Sequence, residues 1–245
     1  KDQTNDITEP EQEINQCRMT SDGTRSYSWN NEGDISVINY DGDKYTFEYE
    51  SGKLSKAVSS GTIDDEVYTM SNYEGSIPRT ILKYLNTYLR DSTVIQLNSD
   101  GKITEVNTFN TNGGDPYLSK EINISYDGNG NVQKYEIQNY TSKGEPFDFS
   151  DRTDIISFDN NKNAHIGHVA QIIYFVNIEV SEEYELLSTN NVTEFKWNRI
   201  RNGAVSQSET MRYNFTYSAD GYPLEKWDPS FGRNEVFNFS YQNCE

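Results

Sequence analysis

Hydrophobic and polar residues alternate over short stretches of this chain. One stretch carries an aromatic ring at every second position, namely Tyr213, Phe215 and Tyr217. Because a β-strand has a side-chain period of two, these three rings would lie on one face of a strand. Asp220-Gly221 then supplies the positive backbone dihedral angles of a tight turn, and Tyr222 and Leu224 resume the alternation. The stretch therefore predicts a β-hairpin.

The same hairpin frame recurs along the chain. Each copy begins with an apolar, a polar and an aromatic or aliphatic residue in a row. After a short gap come an acidic or polar residue with Gly, and then an aliphatic residue. Regular copies contain Tyr27-Ser28-Trp29, Phe47-Glu48-Tyr49, Ile95-Gln96-Leu97 and Ile124-Ser125-Tyr126. Looser copies contain Ile156-Ser157-Phe158, Phe195-Lys196-Trp197 and Phe237-Asn238-Phe239. Trp29 and Tyr49 are separated by about two short strands and two turns. Rings of successive copies should therefore point to the same side of one sheet.

This pattern predicts an all-β protein. We expect one large antiparallel meander of about 14 strands, strongly curved or closed into a barrel-like sheet, with one or two short helices. Residues Ile77 to Arg90 are the main helix candidate, because Pro78 suits a first helical turn and the aliphatic residues that follow have helical spacing. A continuous strand is the alternative there. The apolar stretch from Gly167 to Val176 fits a buried helix and a buried strand equally well.

The chain divides into a leader and one domain. Residues 1–16 are acidic, contain a Pro and lack aromatic rings, which predicts a disordered leader that serves as a tether or is simply a frayed end. Residues 17–245 contain no linker-like segment, so we expect a single β domain.

Charge and composition narrow the function. The formal net charge is −18, and no cluster of Lys or Arg is present, which argues against nucleic acid and against an anionic membrane surface as partners. Hydrophobic residues make up 33% of the chain, but it contains 18 tyrosines. This combination predicts a thin, ring-rich core on one face of a sheet whose other face is wet. The sequence contains no long apolar run, so we expect no transmembrane helix and no signal peptide within it.

The chain contains two cysteines, Cys17 and Cys244, near the two ends of the predicted domain. If the first and last strands are neighbours, a disulfide would join them and stabilise the fold by roughly 5 kcal/mol. Such a bond implies an oxidising, extracytoplasmic compartment. The alternative is a pair of unrelated free thiols. The residues before Cys17 lack the small and apolar character of a lipid-attachment site.

Candidate chemistry is sparse. The sequence shows no nucleophile elbow, phosphate-binding loop or dinucleotide fingerprint, and we predict no catalytic residue, no cofactor and no metal. His165 and His168 are three residues apart but have no third ligand nearby, and the calcium-like oxygens of Asp127 to Asn131 are explained by a hairpin turn. Trp29, Trp197 and Trp227 are candidate ligand-stacking platforms, although the first two share the repeat face and also fit a core role.

Two families share features with this chain. The spacing of Tyr126, Gly130 and Val132 is similar to that of the tyrosine-aspartate repeats of large bacterial shell proteins, which are far longer. From Cys17 onward, the chain resembles uncharacterised exported surface lipoproteins of the Bacteroidetes, whose domain is described as having a porin-like fold. The shared features are the hairpin frame, Ser157 to Asn163 ahead of an apolar stretch, Asn190 to Thr193, and the ending Phe239 to Cys244. Ala164 and His165 depart from the Phe and Pro expected in that family.

The resemblance implies an exported β protein at the outer membrane or cell surface, held by an N-terminal lipid anchor that this sequence does not contain. Our leading hypothesis is a non-catalytic envelope protein that binds a glycan, a peptide or another nutrient. The alternatives are a structural or assembly subunit of an envelope complex, which would show a large exposed apolar patch, and a carboxylate-dependent hydrolase. The sequence does not determine the oligomeric state.

Overall fold

A computed structural model describes residues 17–40, 42–61, 65–111, 114–165, 169–172, 183–233 and 235–244. The predicted leader, residues 1–16, lies outside the described residues. Strands β1 to β9 are Arg18–Ser21, Arg25–Trp29, Ile35–Tyr40, Asp43–Glu50, Lys53–Ser60, Glu66–Glu74, Ile77–Leu85, Tyr88–Leu97 and Ile103–Asn110. Strands β10 to β18 are Tyr117–Tyr126, Val132–Tyr140, Pro146–Lys162, Asn190–Arg201, Ala204–Arg212, Asn214–Tyr217, Pro223–Trp227, Val236–Asn238 and Ser240–Gln242.

Fifteen of these strands form one antiparallel sheet, in which β1 to β14 follow each other in sequence order and β18 pairs with β1. Strands β15, β16 and β17 form a separate antiparallel sheet. The described residues also contain three short 3₁₀ helices, Val169–Gln171, Glu183–Leu187 and Pro229–Phe231. The prediction of an all-β antiparallel meander is confirmed. In the part of the chain that the structure describes, no ladder joins the edge strands β14 and β18, so the large sheet is open.

One face of the large sheet forms the core. In β4, Phe47 is 5% exposed and Tyr45 and Tyr49 lie on the same face, whereas Lys44 and Glu48 on the other face are exposed. Buried residues from strands as distant as β1 and β13 belong to a single hydrophobic cluster. The sheet therefore curves around this face, which we call the inner face. The predicted grouping of the repeat rings on a common side is confirmed for most copies.

A recurrent hydrogen bond ties successive copies of the hairpin frame together. The hydroxyl of Tyr49 donates to the carbonyl of Ile35 at 2.8 Å, and that of Tyr126 donates to the carbonyl of Ile103 at 2.8 Å. Tyr73, which lies outside the copies identified in the sequence, donates to the Leu54 carbonyl in the same way. In each pair the acceptor is the aliphatic residue of an earlier copy, and each acceptor residue is at most 4% exposed. The rings of the frame thus have a structural function.

Two local predictions were wrong. Residues 77–90 form no helix but most of the β7–β8 hairpin, whose turn residues Asn86 and Thr87 have φ angles of 48° and 76°. Ile156 is 54% exposed and does not join the inner face, because three register shifts interrupt the pairing of β12 with β13. The question of helix or strand for Gly167 to Val176 falls largely outside the described residues, and residues Val169–Gln171 form a 3₁₀ turn.

The small sheet lies between the end of β12 and the last strands. The backbone N–H of Lys162 donates to the carbonyl of Gly221 at 3.3 Å, and the Tyr241 hydroxyl donates to the carbonyl of Pro223 at 2.7 Å. The predicted Cys17–Cys244 disulfide is present, with Cα atoms 4.4 Å apart. Among the described residues, no helix is long and apolar enough to cross a membrane.

Candidate functional site

The inner face changes from apolar to polar along the central strands. Its apolar row, formed by directly paired residues of β8 to β11, consists of Ile95, Val106, Ile122 and Ile137. Two residues further along these strands, the same face carries Thr93, Thr108, Lys120 and Asn139. The next row, from β6 to β9, consists of Tyr68, Lys83, Asp91 and Asn110. Polar groups on the packed face of a sheet are costly unless they find partners, so this change marks a candidate binding site.

The two polar rows, with Arg90 and Ser119, line a cleft of about 280 Å³ that we call the polar cleft. Its floor is ordered by hydrogen bonds. The hydroxyls of Thr93 and Thr108 are 3.1 Å apart, and the Ser119 hydroxyl donates to the Thr108 carbonyl at 2.9 Å. Because both threonines are at most 8% exposed, their hydrogen bonds fix the shape of the floor.

The carboxylate of Asp91 lies within this cleft. Asn110 donates from Nδ2 to Asp91 Oδ1 at 3.1 Å. Burial raises the pKa of Asp91, even though four groups favour its charged form, namely Lys83, Arg90, Asn110 and Lys120. The cleft therefore concentrates cationic side chains around one partly desolvated carboxylate.

Lys83 is held in place from the neighbouring strand β6. Its Nζ atom is 2.7 Å from Glu66 Oε1 and 5.6 Å from the ring centroid of Tyr68. The Tyr68 hydroxyl also donates to Glu66. The pKa of Tyr68 is raised, mainly by burial and additionally by this hydrogen bond. These contacts position the ammonium group of Lys83 at one side of the cleft.

An aromatic platform, formed by Phe149, Trp197 and Arg199, continues the inner face beyond the cleft. The guanidinium carbon of Arg199 is 4.8 Å from the Phe149 ring centroid and 5.3 Å from the Trp197 ring centroid. Asp151 fixes this guanidinium through contacts of 2.9 and 3.2 Å. Since β12 pairs with β11, Phe149 lies on the strand next to the cleft, and Trp197 and Arg199 lie one strand further away on β13. A polar cleft beside stacked rings suits a ligand with both polar and flat apolar surfaces.

The three candidate tryptophans lie apart, on β2, β13 and β16, and no two of these strands are paired. Trp29 donates from Nε1 to a backbone carbonyl of β1 at 2.8 Å and has the Arg18 guanidinium 5.8 Å from its ring. Trp227 has the guanidinium of Arg233 4.5 Å from its ring. Of the three, Trp197 belongs to the aromatic platform. The structure thus brings no tryptophan cluster together.

A second group of ionisable residues surrounds a cavity of about 140 Å³ between β1, β2 and the small sheet. His165 Nε2 is 4.0 Å from Asp22 Oδ2, and Arg25 is 3.6 Å from the same oxygen. Burial acts to raise the pKa of Asp22, but the charges of His165 and Arg25, together with hydrogen bonds from Tyr27 and from the Arg25 backbone, lower it overall. Lys226 contacts Glu185 at 2.6 and 2.9 Å. These charges compensate each other around the cavity, so we interpret the group as a structural ion cluster.

The metal-like motifs have structural roles where they are described. Asp127 Oδ1 accepts hydrogen bonds from the backbone N–H groups of Asn129 and Asn131, each at 2.9 Å, as expected for a hairpin turn. His165 belongs to the ion cluster, and His168 lies outside the described residues. Within the described ranges, no three metal-ligating side chains come together.

Sequence reasoning missed the polar cleft. Its residues come from six strands between Tyr68 and Asn139, and none of them belongs to a recognisable motif. The available signal was weak: Asp91, Thr93 and Ile95 alternate, so two polar residues precede an aliphatic one on the same face. Assigning that face to the interior requires the register of the neighbouring strands, which the sequence does not state.

Comparisons with known proteins identify the fold. No family model and no curated protein matches the chain. A solved structure of a porin-like protein from Bacteroides uniformis is similar over 89% of this chain and 89% of that chain, with a TM-score of 0.54 and 13% identity. A porin-like protein from Bacteroides vulgatus is similar over 89% of this chain and 92% of that chain, with a TM-score of 0.56 and 11% identity. The chain therefore has a porin-like fold.

Proposed function

We propose that this protein is a non-catalytic binding protein of the cell envelope that holds a small polar ligand, such as a glycan unit or a short peptide, in the polar cleft. One observation carries the proposal. On the inner face of β6 to β11, where the rest of the sheet packs aliphatic and aromatic side chains, two rows of hydroxyl, amide and charged groups surround a cleft.

The chemistry of the cleft supports a hydrogen-bonding ligand. Asn110, Ser119 and Asn139 supply amide and hydroxyl groups, and lysines supply ammonium donors. The adjoining platform offers aromatic faces, and Phe147 at its end is 42% exposed and stacks 6.0 Å from Phe149. Sugar rings and peptide side chains both combine polar edges with apolar faces, so they match these two surfaces.

An envelope location is supported by the disulfide. The bond between Cys17 and Cys244 is compatible with an oxidising compartment outside the cytoplasm. In this proposal the protein is an exported lipoprotein of the outer membrane or cell surface.

A ligand screen tests the proposed function. We expect calorimetric titration with soluble glycans and short peptides to find a ligand whose affinity falls about tenfold or more in a variant carrying Asn110→Ala and Lys120→Ala, because two ligand contacts are lost. Lys196→Ala is the matched control, since Lys196 is exposed on the opposite face of β13, and it should leave the affinity unchanged. A screen without a ligand, or a ligand that ignores the double variant, would refute the proposal.

A further inference from the structure

The polar cleft has a charge balance opposite to that of the whole protein. The chain contains 39 acidic and 21 basic residues, yet the cleft is lined by three cationic side chains and one carboxylate, namely Lys83, Arg90, Lys120 and Asp91. Glu66, which pairs with Lys83 from β6, adds a second carboxylate nearby. Taken together, these five side chains carry one net positive charge. In a strongly acidic protein, such a positive cleft attracts an anion in preference to a neutral molecule.

Asp91 occupies the centre of this charge distribution. Across the strands, it pairs with Lys83 on one side and with Asn110 on the other. Arg90 and Lys120 also act on its carboxylate electrostatically. These four groups, from β7, β8, β9 and β10, all act on the carboxylate of Asp91. A ligand carboxylate entering the cleft would use the same cations and would be repelled by Asp91.

The volume limits the size of the ligand. A cleft of about 280 Å³ lies just below the range of roughly 300 to 1,000 Å³ that is usual for small-molecule sites. It therefore has room for one monosaccharide-sized unit, either free or as a single unit of a polymer. Asn139 and Ser119 supply polar groups beside the cations, which match hydroxyls on the same ligand. The aromatic platform on β12 and β13 suits the apolar face of a sugar ring.

We propose that the polar cleft binds a sugar acid, a monosaccharide unit that carries one carboxylate, with Arg90 and Lys120 as its anion-binding residues and Asp91 as an internal competitor. This inference rests on the proposed function, since it names the ligand class of the same cleft. It differs from a purely structural role for these charges in one respect. Removing Asp91 should strengthen binding, whereas removing either cation should weaken it.

The test compares D-glucuronate with D-glucose and acetate by calorimetric titration of the whole protein. We expect glucuronate to bind at least tenfold more tightly than either of the others, with an affinity that falls as salt is added. Arg90→Gln should remove most of the preference, and because Arg90 is exposed this variant should fold normally. Lys120→Gln should act in the same direction, and Lys196→Gln should have no effect.

Asp91→Asn provides the decisive measurement. We expect it to raise the affinity for glucuronate several-fold and to leave the affinity for glucose nearly unchanged, because it removes a repelling charge and keeps the hydrogen-bonding amide shape. Equal binding of glucose and glucuronate, acetate binding as tight as glucuronate binding, or weaker glucuronate binding in this variant would overturn the sugar-acid assignment and leave the proposed function standing. Absence of binding by all three probes, together with a negative glycan and peptide screen, would refute both.

Discussion

At the scale of single residues, the tyrosines explain how a chain with few hydrophobic residues holds so many strands together. Tyr126 buries its ring at the end of β10 and places its hydroxyl on the carbonyl of Ile103 in β9. The ammonium group of Lys102 lies 5.1 Å from the same ring. One side chain thus contributes apolar area, a hydrogen bond and a cation–π contact. Burial raises the pKa of the Tyr126 hydroxyl, so the hydroxyl keeps its proton and remains a donor.

Replacing Tyr126 by Phe isolates the hydrogen bond. The substitution keeps the ring and removes the donor to the Ile103 carbonyl, so we expect the free energy of unfolding to fall by about 1 kcal/mol. Urea denaturation followed by circular dichroism measures this change. Tyr88→Phe is the control, because Tyr88 is 77% exposed, and it should shift the free energy by less than about 0.5 kcal/mol. Equal effects of the two substitutions would show that the hydroxyl of Tyr126 adds nothing to stability.

At the scale of strands and turns, the sequence predicted best where Gly marks the corner. The frame around Gly52 and Gly130 predicts hairpins, and the structure has hairpins there with φ angles of 71° and 87° at these glycines. The β7–β8 hairpin has Asn86-Thr87 at its corner, and its strands carry apolar residues on both faces, such as Ile81 and Leu82. Without a Gly signal or a clean alternation, helical spacing was the stronger pattern. The helix was wrongly predicted because the Asn86-Thr87 corner contains no Gly to mark the turn.

That corner also carries strain that a substitution can relieve. Thr87 has a φ angle of 76°, a left-handed conformation that costs a residue with a Cβ atom about 1–2 kcal/mol. Thr87→Gly removes this cost. Because Gly also makes the unfolded chain more flexible, part of the benefit is lost, and we expect the free energy of unfolding to rise by about 1 kcal/mol. Thermal unfolding measures the gain. Thr87→Ala keeps the Cβ atom and should give less than half of it; an equal gain from Ala would contradict the strain argument.

The polar cleft shows why the candidate site was harder to predict than the fold. Each strand reveals which residues alternate, but the cleft depends on which rows meet across β6 to β11. Lys120, for example, lies opposite Thr108 because a register shift occurs between Leu118 and Lys120. Such irregularities decide which polar residues become neighbours, and they arise from packing between strands. Trp197, chosen as an isolated ring, belongs to a platform with Phe149 because β12 pairs with β13, a pairing that neither strand's own alternation reveals.

At the scale of the whole molecule, the first and last strands of the described chain are neighbours. β18 pairs with β1 next to the Cys17–Cys244 disulfide, whereas β14 remains the other edge of the large sheet. The small sheet makes backbone hydrogen bonds both to the end of β12 and to the segment between β17 and β18. Strand order is thus nearly all local, and the closing contact between β1 and β18 joins residues more than 200 positions apart, with the disulfide spanning 227.

The disulfide should therefore stabilise the molecule strongly without determining its architecture. On the chain-entropy model, a cross-link spanning 227 residues raises the free energy of the unfolded chain by about 5 kcal/mol. This value is an upper limit for the loss of unfolding free energy in a Cys17→Ser, Cys244→Ser variant. We expect the variant to keep the far-ultraviolet circular dichroism of the parent and to unfold at a lower urea concentration. Wild-type protein in excess dithiothreitol is the matched control and should unfold at the same urea concentration as the variant. A variant that unfolds at the parent's midpoint would show that β1–β18 pairing holds the chain ends together without the covalent bond.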